Sequence, residues 1–145
     1  MSKEESIKLF KKILKDNNKS ITKSRMLVFE TLLENNSQSL NEISKKTKNE
    51  INRSSLYRII EMLERLNVIE KVSIGWKYKI ELSDIFMSHH HYITCRSCEK
   101  IFITEPNPGL EKLIDDIADK ADFAFQKHQV EINGICLDCQ AKLRK

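Results

Sequence analysis

Apolar residues recur at helical spacing through the first half of the chain. Ile7, Phe10, Ile13 and Leu14 define an amphipathic helix that Asp16-Asn17-Asn18 interrupts. Thr22 can cap a second helix with Met26, Phe29, Leu32 and Leu33 turned inward, and Asn35-Asn36-Ser37 ends it. Ser39-Leu40-Asn41-Glu42 has the form of a capping box and opens a short third helix that runs to about Lys46. Residues 52–67 place Leu56, Ile59, Ile60, Leu63 and Leu66 on one stripe, with Ser54, Tyr57, Arg58, Glu61 and Arg65 opposite. Two β-prone runs follow, residues 68–73 and 76–81, joined near Ile74-Gly75.

The pattern then changes. Strand candidates cover residues 92–94, 100–104 and 123–132. Between the last two lies a helix that Asn107 can cap, with Pro108 in its first turn and Leu110, Leu113, Ile114 and Ile117 as the expected buried stripe. Asn133-Gly134 reads as a turn. The expected fold is α+β: an N-terminal winged helix-turn-helix over residues 1–82, and a small C-terminal α/β domain over residues 83–145.

Charge separates the same two halves. Residues 1–80 hold 17 Lys/Arg against 10 Asp/Glu, and the remainder holds 8 against 11. The basic half is where nucleic acid is expected to bind. A short helix, a turn and a longer helix presenting Arg53, Ser54, Tyr57 and Arg58 suit the major groove. A hairpin carrying Lys71, Lys77 and Lys79 suits phosphates. Trp76 and Tyr78 are expected to be packing residues. No long apolar run reads as a signal peptide or membrane span, so the expected compartment is the reducing cytoplasm.

The four cysteines form two Cys-x-x-Cys pairs, Cys95/Cys98 and Cys136/Cys139. Two residues between paired thiolates let a tight turn aim both sulfurs at one ion, so two pairs complete a tetrahedral four-cysteine structural zinc site. A pair of disulfides, or ordinary buried cysteines, accounts less well for spacing so regular. All four histidines fall in this half, three of them consecutive. On an extended segment His89 and His91 point to one face and His90 to the other, so His89 and His91 can grip a single ion.

These motifs, in this order, resemble the ferric uptake regulator family of metal-dependent repressors across nearly the whole chain. Thr22-Lys23-Ser24-Arg25 is similar to the family's Thr-x-x-Arg, and Ser55-Leu56-Tyr57-Arg58 to its Thr-Val-Tyr-Arg. The resemblance implies a cytoplasmic homodimer that binds pseudo-palindromic operator DNA when loaded with a divalent metal and controls metal homeostasis genes. It adds Ser55 to the DNA-contacting residues. With one residue inserted between Cys98 and Glu111, it also adds Glu111 and His128 to His89 and His91 as a regulatory site. Such a donor set suits a second divalent ion, Zn2+, Fe2+ or Mn2+.

The resemblance weakens at the family's hinge metal site. Ser37, Tyr92 and Ile103 stand where ligands are expected, which leaves Asp84 and His90 as a possible remnant of that site, with Glu81 or Glu105 able to substitute only after some rearrangement. Metal is therefore expected to act through His89, His91, Glu111 and His128, shifting the dimer toward a DNA-competent arrangement. Neutral imidazole is the competent ligand, so affinity falls on acidification. A peroxide-responsive regulator of the same family, and a zinc-stapled DNA-binding protein without metal sensing, are the alternatives. A zinc hydrolase is disfavoured: no His-Glu-x-x-His helix or phosphate-binding glycine loop exists, and the chain has only 3 glycines. An interaction module whose winged helix binds protein would lack the steep salt dependence of phosphate contacts.

Overall fold

The computed structural model describes residues 1–144 and divides the chain into two compact units, Met1–Ser88 and His89 onward. Unit 1 contains α1 (Lys3–Asp16), α2 (Lys23–Glu34), α3 (Leu40–Thr47), α4 (Arg53–Arg65), β1 (Ile69–Ile74) and β2 (Lys77–Leu82). Each helix begins where a side chain satisfies its unpaired first-turn N–H groups. Ser2 with Glu5 and Ser39 with Glu42 form capping boxes, while Thr22 and Asn52 cap α2 and α4. β1 and β2 pair antiparallel from Ile69↔Leu82 to Ile74↔Lys77, leaving Gly75-Trp76 as a two-residue turn. Gly75 has φ 63°, a conformation that a residue without Cβ adopts freely.

The core of unit 1 is continuous and includes Phe10, Leu14, Val28, Phe29, Leu32, Ile43, Leu56, Leu63, Val68 and Ile80. Phe10 stacks on Phe29 at 4.2 Å between ring centroids, and Phe86 meets Phe29 edge-on at 5.0 Å. Because Phe86 is buried in this core, unit 1 runs past the boundary at residue 82 drawn from the sequence. Gln38 ties the segment before α3 to the hairpin: its backbone bridges Ile80, and its buried amide donates to Thr31 O at 2.9 Å. This is a winged helix, with α4 as the presented helix and β1–β2 as the wing.

Unit 2 contains β3 (His91–Cys95), β4 (Ile101–Thr104), α5 (Pro108–Lys120), β5 (Glu131–Gly134) and α6 (Leu137–Leu143). The sheet order is β4-β3-β5, with β4 antiparallel and β5 parallel to β3. The strand expected over residues 123–132 is confined to Glu131–Gly134. Its partner stretch on β3 is only Tyr92 to Cys95, and the ladder cannot outrun that stretch. The turn expected at Asn133-Gly134 is the end of this strand. Asn107 caps α5 as expected, accepting from the N–H groups of Gly109 and Leu110. The expected buried stripe is absent, however: no residue of α5 is buried, and Leu113 and Ile117 are 55% and 61% exposed. The periodicity is real, but the described residues of unit 2 cover that face only in part, leaving Leu110 and Ile114 half-buried. Among the described residues no helix is long and apolar enough to cross a membrane.

Candidate metal centres and nucleic-acid face

The four cysteines are drawn together by the parallel pairing of β3 and β5. Cys95 ends β3, Cys98 follows in a turn, and Cys136 and Cys139 lie at the start of α6, just beyond β5. Register places Cys95 opposite Gly134, so the chain leaving β5 arrives beside the first pair. All four sulfurs lie within 4.8 Å of one another, with Cys98 Sγ and Cys136 Sγ 3.8 Å apart. A regular tetrahedron with zinc–sulfur bonds of about 2.3 Å has edges of about 3.8 Å, so the cluster fits the ion.

The peptide chain favours thiolate at one corner. The backbone N–H groups of Cys136, Cys98 and Ser97 point at Cys95 Sγ from 3.3, 3.5 and 3.4 Å. Led by Cys136 and Cys98, these donors outweigh burial and lower the Cys95 thiol to about 6. At Cys139 the contact with Ser97 works downward, but Cys136, burial and the other two sulfurs outweigh it and raise the thiol to about 11. Four sulfurs this close cannot all hold negative charge without a cation between them.

The second cluster comprises His89, His91, Glu111 and His128, whose ligand atoms also lie within 4.8 Å of one another. His89 lies two residues before β3, His91 opens it, Glu111 projects from the first turn of α5, and His128 lies on the chain entering β5. Glu111 is central. Its Oε1 is 2.5 Å from His91 Nε2, and its Oε2 lies 2.7 Å from His128 Nε2 and 3.4 Å from His89 Nε2. His89 Nε2 and His128 Nε2 are 3.1 Å apart. The hydrogen bond to His91 is the main cause of a depressed Glu111 carboxyl pKa; burial opposes it, and the neighbouring imidazoles reinforce it. The backbone N–H of Val130 meets His91 Nδ1 at 3.3 Å and holds the buried ring. Three imidazole nitrogens and a carboxylate suit a borderline divalent ion such as zinc, and the convergence of all three Nε2 atoms fits such an ion.

His90 turns away from this group, and its Nε2 lies 3.0 Å from the Tyr92 hydroxyl. Asp84 belongs to unit 1 and is exposed. At the other positions where the resemblance would place hinge ligands, Ser37 offers a hydroxyl whose oxygen is buried with no hydrogen-bond partner, and Ile103 offers only hydrocarbon. Among the described residues, neither group of three or more potential ligands includes Asp84 or His90.

In unit 1, Arg53, Ser54, Tyr57 and Arg58 are exposed on α4, while Ser55 is half-buried with its N–H bonded to Asn52 Oδ1 at 2.8 Å. Arg53 lies over the Tyr57 ring at 5.8 Å and donates to Asn41 Oδ1 at 3.0 Å, so the outward face of α4 is partly ordered. Lys71 and Lys77 are exposed on the wing, with Lys71 Nζ 3.5 Å from Glu64 and 5.7 Å from the Tyr78 ring centre. Trp76 and Tyr78, expected to pack, lie outside the buried core and are 66% and 48% exposed. β-propensity alone does not distinguish a wing tip from a core strand.

Residues 16–133 match the model of the ferric uptake regulator family. The ferric uptake regulation protein of Campylobacter upsaliensis is 31% identical over 144 residues, covering 93% of this chain and 89% of that protein. The ferric uptake regulator of Helicobacter pylori superposes with a TM-score of 0.78 at 24% identity, covering 97% of this chain and 95% of that one. A zinc uptake regulator solved with zinc and DNA superposes at 0.64 with 18% identity, covering 100% and 99%. With a family match spanning both units, the chain belongs to the ferric uptake regulator family and is a metal-responsive transcription regulator, not an enzyme.

Proposed function

We propose that the protein acts as a homodimeric repressor that binds pseudo-palindromic operator DNA when a divalent ion, Zn2+, Fe2+ or Mn2+, occupies the His89/His91/Glu111/His128 group, and so controls metal homeostasis genes. The observation that carries this reading is the convergence of that group on β3, close in sequence to the end of the winged helix at Ser88. A ligand pair that begins at His89 can couple ion binding to the orientation of the segment before it. The zinc held by the four cysteines is the structural member of the pair of sites.

Dimerisation is supported by unit 2's unburied apolar surface. Phe102 and Ile132 flank Ile93 in register across the sheet and are 46% and 58% exposed. Leu113 and Ile117 of α5 are exposed as well, and apolar surface of this kind is what a second protomer covers. A two-fold dimer presents two α4 helices to two half-sites, which is why the operator is expected to be an inverted repeat.

The test is recovery of duplexes from a random-sequence pool by protein with and without added Zn2+, Fe2+ or Mn2+. Enrichment of an inverted repeat that depends on one of these ions, and that Arg58→Ala abolishes, is expected. Equal recovery with and without every ion would remove the metal-sensing half of the proposal. No recovery at all would remove DNA binding.

A further inference from the structure

Trp76 is the chain's only tryptophan, and it sits in the two-residue turn at the tip of the wing, 66% exposed. Its setting is a paired hairpin. The strands below it bury Val72, Ile74 and Ile80 to 5%, 3% and 1% exposure, and their ladder runs without a break to the Ile74↔Lys77 pair. The indole is largely exposed at the end of that paired hairpin.

The surroundings decide what it is held out toward. Lys71, Lys77 and Tyr78 are exposed on the same hairpin, whereas its carboxylates are withdrawn: Glu81 is buried and Glu70 half-buried. Beside the hairpin, Glu64 of α4 lies 3.5 Å from Lys71 Nζ, but the hairpin's own strands expose no carboxylate, and an aromatic tip flanked by lysines complements a polyanion that has flat, stackable or groove-lining surfaces. It would be a poor complement to an acidic peptide, which offers charge without a flat partner for the ring. The indole N–H only donates. A·T pairs present only acceptors in the minor groove, whereas a G·C pair adds a donor there.

We infer that Trp76 enters the DNA minor groove beside the major-groove site of α4, packing its ring against sugar and base edges and favouring A·T pairs at that position through its N–H. Lys71 and Lys77 hold the flanking phosphates. This inference rests on the DNA-binding reading above and assigns the wing a part in sequence choice.

Because the tryptophan is single, its fluorescence reports this contact alone. The experiment titrates metal-loaded protein with a duplex recovered from the pool and follows emission and acrylamide quenching alongside retention of the duplex. Quenched or blue-shifted emission and protection from acrylamide on binding are expected. Trp76→Ala should weaken binding about tenfold, within the range for loss of one aromatic–base contact. It should do so without changing the salt slope, because no charge is lost, whereas Lys77→Ala lowers that slope by about one. Trp76→Phe should keep most of the affinity but lose the A·T preference when pairs under the wing are exchanged for G·C. The 66% exposure predicts that these variants fold, which a thermal melt checks.

Retention of the duplex with unchanged emission and a neutral Trp76→Ala would overturn the inference while leaving DNA binding intact. Emission that shifts with protein concentration in the absence of DNA would overturn it in favour of a second copy of the chain. Failure of the wild-type protein to retain any duplex would overturn both this inference and the reading beneath it.

Discussion

His91 and Glu111 lie 20 positions apart in the chain and meet at 2.5 Å, Nε2 to Oε1, at the centre of the second ligand cluster. Glu111 also reaches His128 and His89, so one carboxylate organises all three imidazoles. Glu111→Gln keeps the shape but removes the negative charge. The exchangeable ion is expected to bind on the order of 100-fold more weakly or worse, since even groups behind a metal ligand contribute 10- to 100-fold. The zinc of the four-cysteine site should be retained. Calorimetric titration of chelator-treated protein, with total zinc measured in parallel, checks both outcomes.

The same carboxylate has a pH signature in protein freed of the exchangeable ion. Its folded-state pKa is lowered by the His91 hydrogen bond from an ordinary value of 4.5. A lowered carboxyl pKa contributes stability that is present above the unfolded value and is lost as pH falls through the folded one. The melting temperature of wild-type unit 2 should therefore exceed that of Glu111→Gln near pH 6, and the gap should close below about pH 4. A gap that stays constant with pH would mean that the carboxylate's charge contributes nothing there.

Ile117 is 61% exposed on a helix that buries none of its residues. Ile117→Asp should leave the fold of each unit unchanged and shift sedimentation from dimer to monomer at micromolar concentration. A variant that sediments like wild type would place the protomer contact elsewhere.

Phe29 is fully buried between Phe10 and Phe86. Phe29→Ala removes both ring contacts and leaves a cavity, at a cost of about 3–5 kcal/mol to unit 1. Denaturant unfolding followed by helical circular dichroism measures this, and a loss under about 1 kcal/mol would mean that the core had collapsed around the gap.

Local chemistry is readable without a fold, and long-range contact is not. Spacing alone identifies the Cys95/Cys98 and Cys136/Cys139 pairs, and period-two alternation separates His89 and His91 from His90. Glu111 and His128 come only through family resemblance, because no local pattern reveals that the first turn of α5 and the chain before β5 converge on β3. The α5 stripe shows the opposite limit. Its periodicity correctly announces a helix with an apolar face, but periodicity does not say whether that face is covered by its own chain. Phe86 falls on the wrong side of the sequence-drawn boundary because the polar stretch Ser83-Asp84 looks like a linker, although the next turn returns to the unit 1 core. The short α6 gives no advance signal, having too few residues for a repeat.

The position of the thiolate cluster also sets a timetable for synthesis. Cys98 and Cys136 are 38 positions apart, and α6 carries the last of the four sulfurs. Unit 1 draws its core from Met1–Ser88 and can collapse on the ribosome while the rest is still being made. Unit 2 cannot close until its final helix has emerged, and zinc must then be captured in competition with every other thiol in the cell. A chain stalled before Cys136 would thus carry a finished winged helix with no completed zinc staple.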